Sequence, residues 1–540
     1  MSQKHFEPLS GGRSRIDWGI AVIMFTVFAG GLVWFTHGNK NPAFYNPEEM
    51  VRVSQVISGE WDYHRPVLFE LTISIMKQLF HVPRDLQPVA ELGRVVSAFY
   101  SVASIVCLSL AIYFLCNRAA AALLSCLLLC QHQFFDLAHT VNENTSLMFG
   151  AALSLLAMVL LEQKATVPRA LFLGCSVAIA ASAQYIGLLL FVPALVVVLR
   201  CGNRELRGPR IAEFVLGLLF AMLVLNFSAI TKLPVTVMNL VQNLMSAVAS
   251  LPEGLSNLVK GYYWVLLLKN TTPPIWVMFG LSICIFWFQR SKLKISETAL
   301  LVIPAVYFLL LLFSPPESDL HFLPMIGFTY AFAVVGSALT GEMIAKLSEQ
   351  ARGWLMPVLI AVCLFACFLE FVRGLRYFVA FNRDDRLDML AWMDGNLDPG
   401  CKVIADRTAF LPALLAEMNQ KYRFELVSGE IKPTAGKVPS VAELAASGVS
   451  YAALSDSDYE RFFSHVVSVA QANDASFGAL KQFYYDVLSK GILIWRSDRG
   501  AVKYMQPGLA VYRLPRTEQI MKGSNHRNVE MPDAPTDEQR

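Results

Sequence analysis

The sequence predicts an α-helical protein that crosses a membrane many times and ends in an extracytoplasmic α/β domain. Three observations carry this. Of 540 residues, 55% are hydrophobic and only 16% are charged, a balance suited to lipid rather than water. Long apolar runs recur from residue 17 to residue 372. From about residue 377 the composition turns polar, and the apolar spacing becomes that of short strands and helices. The net charge of +3, with no basic cluster, gives no reason to expect a nucleic-acid partner.

Runs long enough to span lie near 17–36, 93–115, 118–134, 145–162, 168–184, 185–200, 211–230, 273–289, 297–314, 322–341 and 354–372. They number about eleven, with 168–200 readable as one long broken unit. The first run is long and has no small-residue cleavage site after it, so it reads as a span rather than a signal peptide. Lys4, Arg13, Arg15, Arg118, Lys164, Arg169, Arg200, Arg204, Arg207, Arg210, Arg290, Lys292, Lys294, Lys346 and Arg352 fall at alternate junctions. The excess of Lys and Arg in short cytoplasmic loops therefore puts the N-terminus in the cytoplasm. The loop 37–92 then faces outward, and an odd span count puts residues 377–540 outside as well. In a bacterial inner membrane that side is the periplasm. Nine of the ten Cys lie in or beside spans and read as small apolar fillers; Cys401 alone falls in the outer domain, which leaves that domain no internal disulfide.

The first outer loop is too long for a simple connector. Residues 47–58 read as a helix with Pro47 at its start and Glu48 and Glu49 in its first turn, where the helix dipole favours acids. Residues 66–80 place Leu68, Leu71, Ile75 and Leu79 on one face and Glu70, Ser74, Lys77 and Gln78 elsewhere, the pattern of a helix lying on the membrane surface. The loop 231–272 repeats that pattern. Val237, Leu240, Val241, Leu244, Val248 and Leu251 form its apolar stripe. Two such helices beside a cavity suit an enzyme whose substrate is carried by a lipid.

The soluble part reads as a helix over Asp384–Leu397 and strands at Lys402–Ala405, Val449–Ser455, Gly491–Trp495 and Leu509–Leu514. The expected division is 1–376 for the membrane domain, 377–515 for the α/β domain and 516–540 for a polar, disordered tail.

Ionisable residues are scarce at mid-depth in the spans, which argues against an ion-coupled transporter. Polar residues gather instead at the outer ends of spans. The first loop supplies Asn46-Pro47-Glu48-Glu49-Met50 and Trp61-Asp62-Tyr63-His64-Arg65-Pro66. Arg94 opens the second span, and Asn142, Glu143 and Asn144 lie between the third and fourth. Gln184 and Tyr185, Lys232, and Asp319 with His321 complete the set. Carboxylates beside cations at a membrane surface suit group transfer from a lipid phosphate: a carboxylate takes a proton from an attacking hydroxyl, and cations neutralise the phosphate that leaves. Arg52, Lys77 and Lys269 read as ordinary interfacial anchors.

The order of these features resembles the GT-C superfamily of glycosyltransferases, in the branch of the dolichyl-phosphate-mannose–protein mannosyltransferases and the bacterial aminoarabinose transferases. The resemblance covers the layout of residues 17–376 and extends to the Asp384-Asp385-Arg386 helix start. It sets the family's acidic pair on Glu48-Glu49, its His-Pro motif on His64-Arg65-Pro66-Val67, its second-span Arg on Arg94 and its second-loop acid on Asn142-Glu143. A Lys-Tyr of the family falls on Gln184-Tyr185, so a cation is missing there, and an Arg-Tyr falls on Leu320-His321.

The resemblance implies a GT-C-like membrane domain and inverting transfer from a polyprenyl-phosphate sugar, such as an undecaprenyl-phosphate sugar. The acceptor would be lipid A, another glycolipid, a polysaccharide or a protein. In that frame Glu48 is the general base and Glu49 its catalytic neighbour. His64, Asn142, Glu143 and Tyr185 orient donor and acceptor. Arg65, Arg94, Lys232 and His321 meet the phosphate. A divalent cation, Mg²⁺ or Mn²⁺, has Glu48, Glu143 and His64 as its candidate ligands.

Three other classes compete. A lipid or solute transporter needs broken helices and polar groups at mid-membrane. An O-antigen ligase or polymerase takes a diphosphate-linked donor and carries its large outer loop late in the chain, whereas here the long loop comes first. A non-enzymatic envelope scaffold has no need of convergent carboxylates.

Overall fold

The computed structural model describes residues 18–40, 47–61, 63, 65–201, 205, 207–242, 245, 248, 252, 262–289, 295–310, 323–406, 409, 423–426, 440–463, 475–500 and 505–515. The chain divides into two compact units, Met1–Asn382 and Arg383–Arg540. The boundary expected at 376/377 falls in the last turns of a helix that runs to Ala380.

Among the described residues, the regular structure of the first unit is all helical. Its elements are α1 (Trp18–Thr36), α2 (Pro47–Ser58), α3 (Leu68–Leu79), α4 (Leu86–Leu115), α5 (Arg118–Cys130), α6 (His132–Ala138), α7 (Asn144–Gln163) and α8 (Val167–Ala183). A 3₁₀ turn (Tyr185–Leu190) leads into α9 (Phe191–Arg200), followed by α10 (Arg207–Leu225) and α11 (Phe227–Thr231). Then come α12 (Leu233–Gln242), α13 (Tyr262–Asn270), α14 (Pro273–Gln289), α15 (Ile295–Leu310), α16 (Leu323–Ala345) and α17 (Glu349–Ala380).

Each of the expected apolar runs falls on a helix. Among the described residues, however, six helices are long and apolar enough to cross a membrane, or seven if α5 and α6, bent by 59°, form one span. Helices α8, α9, α14 and α15 are apolar but shorter. Length therefore gives six or seven spans where the hydropathy pattern gave about eleven. The unit at 168–200 is indeed broken, at Gln184, whose backbone is extended between α8 and the 3₁₀ turn.

Burial separates the centre of the bundle from its rim. Helix α1 buries one stripe, Ile20, Met24, Val27, Gly31 and Phe35, and exposes Trp18 and Phe25. Exposed apolar side chains on a helix are what a lipid surface accepts, because the backbone is satisfied internally. Helices α4, α7 and α16 are buried along most of their length, and α4 packs on α7, α5 and α1. Small residues bring α8 and α10 together: a Cβ on Gly174 would lie 2.1 Å from the Phe214 carbonyl, and one on Gly217 2.3 Å from that of Leu171.

Helices α2 and α3 are held on α4 by an apolar cluster of Val53, Val56, Phe69, Ile73, Val89, Ala90, Val96, Tyr100 and Val141. The face of α3 turned to α4 differs from the apolar face expected to meet the membrane. Leu68, Phe69, Glu70 and Ile73 point inward, while Ile75 and Leu79 are exposed. On α12 the expected stripe residues Val237, Leu240 and Val241 are exposed, as is Val248 beyond it; Leu244 and Leu251 lie outside the described residues.

The second unit begins with α18 (Asp385–Asn396), capped by the Asp384 side chain on the Arg386 N–H. Its sheet has the order β2-β1-β3-β5-β4, formed by β1 (Lys402–Ala405), β2 (Arg423–Leu426), β3 (Val449–Ser455), β4 (Ile492–Arg496) and β5 (Leu509–Arg513). Strand β1 runs parallel to β2 and β3, and β5 runs antiparallel to β3 and β4. Helices α19 (Val441–Ala446), α20 (Asp456–Phe463) and α21 (Ala475–Lys490) complete it. Strands β1, β3, β4 and β5 fall at the four segments read as strands; β2 is the strand the sequence pattern missed.

Candidate active site

The candidate site is built at one end of the bundle, where α2, α3, the start of α4 and the loop after α6 meet. Pro47 opens α2 and fixes the first helical φ without needing a hydrogen bond. On that helix Glu49, Arg52, Val53 and Val56 recur at helical spacing and all are buried. The charged end of this face enters two ion-pair systems.

The first joins Glu49 to Arg94. Nε of Arg94 donates to Oε1 of Glu49, and Nη2 to Oε2, both at 2.9 Å. Nη1 of Arg94 donates to the Asn39 carbonyl at 3.0 Å, and the Val141 N–H donates to Oε1 of Glu49 at 3.2 Å. Arg94 was expected at the phosphate and Glu49 at the reaction centre. The structure pairs them with each other instead, with both side chains wholly buried.

The second is a chain of alternating charge, Glu70–Arg52–Glu143–Arg65. Arg52 pairs with Glu70 through Nη1 and, at 2.9 Å, with Glu143 through Nη2. Arg65 pairs with the same oxygen of Glu143. Arg65 is the exposed end: its side chain is 39% exposed, against 8% for Arg52 and 1% for each Glu. Arg52 is therefore a buried partner rather than an interfacial anchor. Charges taken out of water must be paired closely, and the alternation does this.

Burial pushes the Glu143 carboxyl up, but the guanidiniums of Arg52 and Arg65 outweigh it and hold the group down at about 2. For Glu70 burial prevails: its carboxyl lies above the usual 4.5, opposed by Arg52 and pushed further by Glu143. The Oε2 atoms of both acids are buried without a hydrogen-bond partner among the described residues.

The loop that presents Glu143 is tied on every side. Oδ1 of Asn142 accepts from the N–H and the side-chain amide of Asn144, both at 2.8 Å, and the Asn142 N–H donates to Ser97 Oγ at 3.3 Å. Gln184 donates to Asn144 Oδ1 at 2.9 Å. The ring nitrogens of His139 face the carbonyls of Phe135 at 2.7 Å and His37 at 2.6 Å. Burial drops its pKa to about 4, opposed by the two carbonyls its nitrogens face.

A third group forms around Tyr63. Its φ of 53° lies in the left-handed region, a strained place for a bulky residue. Tyr185 donates to its carbonyl at 3.4 Å, and Lys232 Nζ lies 5.8 Å from its ring centroid. Tyr63 is buried with Val67 and Ala229. Tyr185 and Lys232, far apart in sequence, thus meet the first loop two residues before Arg65.

Glu48 falls in the first turn of α2, but its side chain lies outside the described residues, as do His64 and His321. Among the described residues no three His, Cys, Asp or Glu side chains converge on a metal-sized site. Of the candidate metal ligands only Glu143 can be placed, and two guanidiniums occupy its surroundings. That environment repels a divalent cation, so Glu143 does not fit as a ligand.

Sequence reading missed Arg52 and Glu70. The signal for Arg52 was its spacing of three from Glu49 and four from Val56, which puts all three on one helical face.

Residues 64–230 match the family model described as dolichyl-phosphate-mannose-protein mannosyltransferase. No curated protein matches the chain. Among solved structures, the S. cerevisiae protein O-mannosyltransferase Pmt1-Pmt2 complex bound to the sugar donor is similar at 16% identity over 41% of this chain, with a TM-score of 0.36. That alignment spans only 35% of the yeast chain. The Archaeoglobus fulgidus oligosaccharyltransferase tethered with an acceptor peptide is similar at 10% identity over 93% of this chain and 75% of the archaeal one, with a TM-score of 0.47. Its apo form gives 10%, 83% and 70%, with a TM-score of 0.45. The family match bears out the resemblance to the GT-C superfamily of glycosyltransferases, over the segment that holds Arg65, Arg94, Glu143 and Tyr185.

Proposed function

We propose that the protein is a membrane glycosyltransferase that moves a sugar from a polyprenyl-phosphate donor to an envelope acceptor, with inversion, at the outer face of a bacterial inner membrane. One observation carries the reading. The buried chain Glu70–Arg52–Glu143 ends in a single partly exposed guanidinium, Arg65, which with Glu70 and Glu143 falls in the family-matched segment and lies two residues from the Tyr63 group that Lys232 joins.

In this reading the acceptor hydroxyl attacks the anomeric carbon, and the bond from that carbon to the phosphate oxygen breaks. The electron pair leaves with the lipid phosphate. Arg65 and Lys232 offset the charge that develops there. Glu48 takes the acceptor proton. Glu143 is engaged by Arg52 and Arg65, which hold its carboxyl down, and it orients Arg65. The Glu49–Arg94 pair fixes α2 against α4, and so fixes the helix that carries Glu48. Asn142 holds the Glu143 loop, and Tyr185 braces the first loop. His64 and His321 remain candidates for donor contact.

The acceptor class is lipid A, another glycolipid, a polysaccharide or a protein. The test has two arms. Purified protein in detergent is heated with polyprenyl monophosphate and, separately, with the diphosphate; a ligand bound only by the folded state raises the apparent melting temperature. Envelope glycolipids and glycans are compared by mass spectrometry with and without the gene. Stabilisation by the monophosphate and loss of one sugar from one envelope species support the reading. Stabilisation by the diphosphate alone would favour a ligase or polymerase.

A further inference from the structure

Ionisable groups are scarce at mid-depth in the spans, and α17 carries a buried acid near the end of its apolar run. Glu370 lies wholly buried in this helix. A membrane-buried carboxylate is a candidate for function by default, because lipid offers it no solvation. Its Oε1 accepts from Tyr330 Oη at 2.6 Å and from Thr272 Oγ1 at 2.8 Å. One turn on, Arg373 donates to the Lys269 carbonyl. Helix α17 therefore grips the α13–α14 junction at two points, on either side of Asn270.

Asn270 grips the break between α5 and α6. Its carbonyl accepts from Gln131 Nε2 at 3.1 Å, and its Oδ1 lies 2.9 Å from His132 Nε2. Gln131 is the single residue between the two helices, and its Oε1 caps α6 by accepting from the N–H groups of Gln133 and Phe134 at 2.7 and 3.1 Å. Gln131 Nε2 also lies 3.5 Å from His132 Nδ1. Both contacts are met by one tautomer, with the proton on Nε2 and Nδ1 accepting. Gly374 lets α17 close on the break: a Cβ there would lie 2.6 Å from the Cys130 carbonyl. Beyond the break α6 runs about 10 Å and delivers His139, Asn142 and Glu143.

We propose that Asn270 and His132 are positioning residues: their hydrogen bond, held in place by Glu370 and Arg373, sets the direction of α6 and with it the place of the Asn142–Glu143 loop. The bond ties that loop to the end of the 231–272 segment. The consequence for catalysis rests on the glycosyltransferase reading; the link between junction and loop does not.

The experiment reads both. In a Cys-free background, Val141→Cys places a thiol in the buried loop. Its labelling rate is measured alone and with His132→Ala, Asn270→Ala, both together, or His132→Gln, whose amide reaches the position of Nε2. Thr272→Val, which keeps its volume, serves if either alanine variant fails to fold. Labelling should rise severalfold in each alanine variant, by the same factor in the double, and return to the parent rate in His132→Gln. In a transfer assay with a polyprenyl-phosphate sugar, the same variants without Val141→Cys should lose about tenfold or more in kcat with donor KM unchanged, the scale of a small misplacement. Unchanged labelling in folded alanine variants overturns the proposal, as do additive effects in the double. If labelling responds while the unmutated protein transfers nothing from this donor, the loop link stands and the functional reading falls.

Discussion

Arg94 and Glu49 meet in a two-pronged ion pair, with both contacts at 2.9 Å and neither side chain exposed. The pair fastens the first turn of α2 to α4. Breaking a buried pair from one side leaves a lone charge in the interior, which costs about 3–5 kcal/mol. Glu49→Leu and Arg94→Leu should each destabilise the protein by that order, and the double variant should recover much of the loss. Thermal unfolding in detergent, read as a double-mutant cycle, measures it. Additive losses would show that the two residues stabilise the fold independently.

Glu48, next to this anchored residue, is the proposed base. Glu48→Gln keeps the shape and removes the basicity. Turnover should fall by about 10²-fold or more, with expression and donor binding retained. Near-normal turnover in Glu48→Gln, with Glu143→Gln inactive, would move the base to the second loop.

Arg52 and Arg65 pair with the same acid, but the exposure of their side chains is 8% and 39%. Arg52→Ala leaves Glu70 and Glu143 short of a buried cation and should destabilise strongly. Arg65→Ala should change stability by about 1 kcal/mol or less, as a half-exposed pair does. Its effect should appear in transfer kinetics. Wild-type kinetics in Arg65→Ala would remove it from the phosphate.

The two acids of the charge chain should respond to pH in opposite senses. Glu143 sits at about 2 when folded against an ordinary 4.5, so the unfolded chain binds its proton more tightly. Its contribution is full above about 4.5 and is lost as pH falls from there through about 2. Glu70 is raised, so its contribution is full below the ordinary 4.5 and declines as pH rises through its folded value. Glu143→Gln should flatten the melting-temperature profile below about pH 4.5, and Glu70→Gln should make the profile rise more with pH above it. Parallel profiles for wild type and Glu143→Gln would contradict the ion-pair account.

Orientation is open to a direct check. With the native cysteines removed, Ser489→Cys puts a thiol on an exposed position of α21. An impermeant reagent should label it in spheroplasts with the inner membrane intact. Labelling only after lysis would put the second unit in the cytoplasm.

The sequence by itself determined the membrane class, the helical position of each apolar run, the α/β character of the second unit and the acidic first loop. All of these rest on local pattern: composition, spacing of apolar residues, a Pro at a helix start. It also drew Glu143, Arg65, Tyr185 and Lys232 toward one region, because span order fixes which loops share a side. Which of these touch was a matter for the tertiary structure. Glu49 and Arg94 are 45 positions apart, and Arg65 and Glu143 are 78 apart. Such pairs are chosen by the crossing of α2 and α3 over α4, not by anything in their local sequence. The same holds for Glu370, which hydropathy averaged away within an apolar run. Hydropathy counts a charge as a penalty spread over a window. Packing decides whether that charge finds Tyr330 and Thr272 or meets lipid.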